Sequence, residues 1–224
     1  MNFLAHHVVA RALAPDEPPL FYAGNLTPDW LGIAGEGTLR RKHVEGKPGP
    51  LAAGARLHLS ADAAFHSDPI FAQLCAEANA LLRPLPLTRV FFYAHVAVEL
   101  AMDATLLRQQ AEHADDLFAQ ISLCQPRIAP DTAHLLERAA LPGLEGVTAR
   151  FVKYRWILAY ASDEGLATRL CEVGERVGLG TLEVSQRPAL TAACTALRAL
   201  VAPETAGLLL RAGAGKLPWK QKQI

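Results

Sequence analysis

Apolar residues recur three and four positions apart along nearly the whole of this chain, while β-branched residues are few and dispersed. That is the period of a helix face, not of a strand, so helices must bury their stripes against other helices. The 224 residues supply enough chain for one substantial core. The expected architecture is all-α, a single-domain helical bundle over residues 1–212, with 213–224 as a loosely ordered C-terminal tail.

Local signals divide the chain. Asn2 is placed to cap a first helix through about Leu13, and Pro15, Pro18 and Pro19 stop it. "YAGNLTPDWLGIAGEG" reads as a loop or a short, interrupted helix, and residues 34–50 as an exposed connection rich in Gly and Pro. A helix over 51–66 follows. Asp68-Pro69 then has the form of an N-cap and first helical residue for a helix to about Leu82. Thr88 can cap a long helix from about Arg89 to Gln110, with further helices near 112–124, 130–140, 145–177, 187–201 and 203–212.

Charge and cysteine usage remove several functions. Lys plus Arg equal Asp plus Glu at 22 each, so no nucleic-acid partner is expected. Cys75, Cys124, Cys171 and Cys194 form no CxxC pair and sit in helical segments, which suits buried free thiols and a cytoplasmic location. The apolar start "MNFLAHHVVARALAP" lacks a basic region and holds two histidines, unlike a signal peptide. No run of about 18 apolar residues is evident, and no stable membrane anchor is expected.

Two polar rows interrupt the apolar pattern. In "HLSADAAFHSDPIF", His58, Asp62 and His66 are four apart and share one helix face. In "FFYAHVAVELAMDATLL", His95, Glu99 and Asp103 repeat that spacing among Val, Ala, Leu and Met. A buried carboxylate is costly unless paired or bound to metal, and bundle cores build metal sites from facing rows of this kind. The alternative is a buried polar network linking the two rows. His6 and His7 lie in the first helix, where only one is expected to face the core. Asp29 lies in "GNLTPDW", where it can also cap a helix starting at Trp30.

"MNFLAH" at the start, "GNLTPDW" some twenty residues on, then "HLSADAAFHSD" and "AHVAVELAMD" follow one another in an order that resembles the acyl carrier protein phosphodiesterase family. The resemblance covers roughly the first 110 residues, with no matching motif in the second half. It implies an all-α, HD-domain-like metal-dependent phosphohydrolase that releases 4'-phosphopantetheine from holo-acyl carrier protein. It also implies a divalent transition metal, typically manganese. His6, Asp29, His58, Asp62 and His95 are the positions that it carries over. The family's basic residues after the first His are Leu59-Ser60 here, its Asp before the later His is Ala94, and Phe65-His66-Ser67-Asp68 is one residue longer than its F-T-D. Arg40, Arg41, Lys42 and Arg56 are the nearby basic residues.

Imidazole and carboxylate ligands suit Mn, Zn, Fe or Ni better than Ca. The expected metal set is His6, Asp29, His58, Asp62, His95 and Glu99, holding one or two ions. His66 and Asp103 are the candidates for moving a proton as the metal-activated water attacks a phosphoester substrate. Two other readings are a zinc phospholipase C-like hydrolase and a non-catalytic metal-binding or interaction bundle. The ExxH pairs of ferritin-like sites do not occur in the two rows.

Overall fold

The computed structural model describes residues 1–178 and 183–214. Among these there are helices and no strands: α1 (Phe3–Leu13), α2 (Pro19–Ala34), α3 (Arg41–Val44), α4 (Pro50–His66), α5 (Pro69–Leu82), α6 (Val90–Gln109), α7 (Glu112–Leu135), α8 (Pro142–Tyr154), α9 (Asp163–Arg176) and α10 (Arg187–Ala214). Short 3-10 segments lie at Trp156–Ala161 and Val184–Gln186. The all-α bundle expected from the apolar period is the fold. Most of the expected tail, residues 215–224, lies outside the described residues.

Helix α6 is the axis of the bundle. From Ala97 to Leu107 only Glu99 escapes full burial. Its flanks are covered by α5, α10, α9 and the first 3-10 segment. By length and composition α6 and Arg187–Gly213 of α10 are apolar enough to cross a membrane, which the sequence reading had not expected. In α6, 67% of that stretch is buried inside the protein, against 33% in α10. The apolarity of α6 is thus consumed by the core.

Helices α2 and α4 pack backbone to backbone. A Cβ on Gly24 would run into the Leu51 carbonyl, and one on Gly54 into the Phe21 carbonyl and the Asn25 nitrogen. Two glycines, one on each helix, therefore let the axes approach. This contact fixes the "GNLTPDW" segment against the histidine row of α4.

Prolines marked boundaries in the sequence that the chain does not observe. Pro28 lies inside α2, Pro126 and Pro130 inside α7, and Pro203 inside α10. Each interior proline removes one hydrogen bond and costs about 3 kcal/mol locally. The burial of flanking residues outweighs this: Leu26, Trp30 and Leu31 are fully buried around Pro28. Asp29 is consequently inside α2 and does not cap a helix at Trp30. Conversely, the expected helix over 145–177 is broken twice. Arg155 adopts a left-handed conformation (φ 46°) that ends α8, and Ser162 caps α9 by accepting from the Gly165 N–H.

Asp68 caps α5 as expected, accepting from Ile70 N–H at 2.8 Å, and also binds Arg211 of α10. The cap of α1 differs from expectation. Asn2 stands at the N-cap position without a side-chain cap bond. The task falls to Asp103 of α6, which accepts from Leu4 N–H at 3.0 Å and Ala5 N–H at 2.8 Å. All four cysteines are buried free thiols.

Candidate metal centre

The site forms where the start of α1, the end of α2 and the facing rows of α4 and α6 meet. His58 is fixed first. Its Nδ1 donates to the Asn25 carbonyl at 2.8 Å, while the Asn25 amide donates to the His6 carbonyl at 2.8 Å. With Nδ1 carrying the proton, Nε2 keeps its lone pair. That nitrogen lies 3.7 Å from Asp29 Oδ1. The His6 and His58 rings stack at 3.9 Å.

His6, Asp29 and His58 each offer one ligand atom within a common reach of 4.8 Å. His66, His95 and Glu99 form a second such group. In it, Glu99 Oε1 lies 2.9 Å from His66 Nε2 and 3.1 Å from His95 Nε2. Asp62 stands between the groups, with Oδ1 3.6 Å from His6 Nε2 and Oδ2 3.1 Å from His66 Nδ1. The Met1 ammonium donates to Asp62 at 2.7 Å and to Glu99 at 3.3 Å. The sequence reading had no reason to place a charge at Met1.

Wetness grades across the site. The side chains of His6 and His58 are 0% and 5% exposed, against 31% and 37% for His66 and His95. Burial pulls both His6 and His58 down to about 4, so each is neutral near pH 7, as a metal ligand must be. Loss of solvent raises Asp29 to about 6. Against burial, the Met1 ammonium, His66 and His95 hold Glu99 far below the usual carboxylate range. Also against burial, His6, His66 and the Met1 ammonium hold Asp62 well below it. Opposing its own desolvation, hydrogen bonds to Asp62 and Glu99 carry His66 up to about 9.

One atom pair tests whether these residues fit a cation. Neither nitrogen of His6 has a hydrogen-bond partner, although both are fully buried. An orphaned buried polar group costs about 1–3 kcal/mol. Coordination through a neutral ring nitrogen would satisfy it, and the surrounding carboxylates supply the balancing charge. The donor set of imidazole and carboxylate is that of a divalent transition metal.

The remaining expected residues sort out plainly. Both His6 and His7 are buried, not one of the two. His6 faces the site, and His7 Nε2 lies 2.8 Å from Asp116 of α7. Asp103 joins neither group. Both its oxygens accept from the first turn of α1, and burial raises it to about 7. Asp103→Ala strands two buried N–H groups, so unfolding in urea is expected to show a loss of about 2–6 kcal/mol, at about 1–3 kcal/mol for each orphaned group. Arg56 is turned away, its Nη1 donating to the carbonyls of Val44 and Lys47. The guanidiniums that reach this region are Arg169 and Arg176 of α9, which line a cavity shared with Met1, Asp29 and Glu99. Their seven-residue spacing, two helical turns, was the available signal.

No curated protein and no solved structure matches this chain. Comparison with protein-family models matches residues 1–197 to "Acyl carrier protein phosphodiesterase". That span reaches well past the 110 residues in which the motifs were legible, through α9 and into α10. It contains every residue of the two groups and both arginines, so the site just described belongs to the matched region. The chain is a member of the acyl carrier protein phosphodiesterase family.

Proposed function

We propose that this protein is a divalent-metal-dependent phosphodiesterase that releases 4'-phosphopantetheine from holo-acyl carrier protein. Family membership supports the carrier-protein phosphodiester. The observation that supports metal dependence is the buried His6 ring with both nitrogens unpartnered beside Asp29, His58 and Asp62. His6, Asp29 and His58 would hold one ion, and Glu99 and His95 a second, with Asp62 between them. Such an ion lowers the pKa of a bound water and offsets charge on the phosphoryl oxygens.

The chain's own residues perform the rest. The Asn25 carbonyl holds the His58 tautomer. The buried side keeps His6 and His58 neutral, and the open side at His66 and His95 admits substrate. His66, tied to Asp62 and Glu99, is placed to deliver a proton to the departing oxygen. In the balance, hydroxide from water ends on phosphorus, the phosphorus–oxygen bond to the carrier protein breaks, and that oxygen takes a proton. The carboxylates would otherwise repel a phosphodiester, so a cation between them is an electrostatic requirement of this reading.

Mass spectrometry of holo-acyl carrier protein after incubation tests it. With Mn²⁺ the carrier should lose the phosphopantetheine mass. After exhaustive chelation the rate should drop at least about 10²-fold, given the several kcal/mol a metal supplies, and Mn²⁺ should restore it. A full rate in chelated protein would remove the metal from the mechanism.

A further inference from the structure

The cavity beside the metal centre, about 300 Å³, has one wall of Met1, Asp29 and Glu99 and an opposite wall from α9 and the first 3-10 segment. The polar side chains of the second wall are donors. Arg169 and Arg176 face the cavity from α9, and Tyr160 from the 3-10 segment. Tyr160 is 1% exposed, and its hydroxyl, close to Asn2 and Arg169, has no partner at full hydrogen-bond geometry. The Asn2 amide nitrogen, on the same cavity, is also buried and unpartnered. Arg169 is held in place by Glu172 at 2.9 Å and by the Trp156 ring. Arg176 has no ion-pair partner among the described residues. Buried donors without acceptors are rare in proteins and signal a missing acceptor. Two guanidiniums and two orphaned donors around one space call for an anion with several oxygens.

We infer that Arg169, Arg176, Tyr160 and Asn2 form a phosphate-binding subsite that holds the substrate's phosphoryl oxygens on the side away from the metal ligands. The inference deepens the proposed function and rests on it for the identity of the phosphoester. The arrangement supplies positive charge that Leu59-Ser60, directly after His58 on α4, do not. Here that charge comes from α9, more than a hundred residues later. A phosphate seated between the walls would meet donors on one face and, on the other, Asp29 and Glu99, which would carry the cation. The apolar rim, which includes Phe92, Val96 and Val173, is left for the uncharged part of the leaving arm.

Inorganic phosphate is the probe, titrated calorimetrically into metal-free protein and into Mn²⁺-loaded protein, with metal content measured for every variant. Arg176→Gln is expected to weaken phosphate about 10-fold, and Tyr160→Phe a few-fold. The double variant Arg169→Gln/Arg176→Gln should weaken it about 100-fold, as expected for losing charge-assisted hydrogen bonds. Arg176→Lys should recover part of the loss. With holo-acyl carrier protein, Arg176→Gln should raise KM more than it lowers kcat, at unchanged metal content. If Arg169→Gln disturbs the fold through Trp156 and Glu172, the half-exposed Arg176 and the isosteric Tyr160→Phe carry the test. Equal phosphate affinity in Arg176→Gln, Tyr160→Phe and wild type overturns the subsite, as does absence of phosphate binding to wild type in both metal states. Failure of the metal reading shows separately, as no Mn²⁺ uptake with phosphate binding intact in the metal-free titration.

Discussion

His58→Ala should emerge from purification folded but without the ion proposed for the His6–Asp29–His58 group, and with phosphodiesterase activity reduced on the order of 10³-fold or more. The geometry makes His58 the most firmly fixed of the candidate ligands. Its Nδ1 is engaged by the Asn25 carbonyl at 2.8 Å, its ring is stacked on His6, and its Nε2 faces Asp29. Several kcal/mol of transition-state charge stabilisation depends on a bound cation, and each 1.4 kcal/mol is about tenfold in rate. The fold should withstand the change. The loss is one hydrogen bond of about 1 kcal/mol and a ring-sized space that opens toward the half-exposed Asp29. His95→Ala should be milder, because that ring is partly solvated and shares Glu99 with His66. Elemental analysis of wild type and both variants, beside the melting curves, decides the matter. Full metal occupancy in His58→Ala would move the ion away from α4. Asp103→Ala is the inverse control, with stability lost through α1 and no ligand removed.

The two rows were legible because a four-residue spacing fixes a shared helix face whatever the tertiary fold. His58, Asp62, His66, His95 and Glu99 were singled out in this way, and their side chains lie near one another in the structure. Asp103 shares that row but has different surroundings. The last member of the α6 row meets the N-terminus of α1, where two unsatisfied N–H groups attract a carboxylate. Prolines misled. A proline has a local cost visible in sequence, whereas the burial that repays it around Pro28 or Pro203 is tertiary. The Ser162-Asp163-Glu164 start of α9 was a readable cap, overlooked because the apolar period runs through it. Arg169 and Arg176 lie in that helix, so missing its start hid the cationic wall of the site. Met1 was illegible in kind, since its charge resides on a backbone amine that no side-chain pattern encodes.

Gly54→Ala should be among the most damaging small substitutions in the chain. In a free helix, alanine is favoured over glycine by about 1 kcal/mol. Here the added carbon would overlap the Phe21 carbonyl and crowd the Asn25 nitrogen. Both neighbours are backbone of α2, which cannot yield by changing rotamer, so α2 and α4 must separate. Overpacking by one methylene costs about 1–3 kcal/mol and sometimes more. With backbone on both sides, a net loss of about 3 kcal/mol or more is expected in denaturant unfolding. The metal centre should suffer in step, because His58 on α4 is held by Asn25 and faced by Asp29, both on α2. Metal affinity in Gly54→Ala should therefore fall although no ligand has been changed. Gly24→Ala, meeting the Leu51 carbonyl from the other helix, should behave alike. Gly32→Ala supplies the contrast on the same α2 helix, since its Cβ meets nothing within 4 Å. It should stabilise by about 0.5–1 kcal/mol through helix propensity alone. If Gly54→Ala instead matched Gly32→Ala, the α2–α4 spacing would not be set by these glycines. The coupling between helix packing and the metal centre would then have to run through another contact.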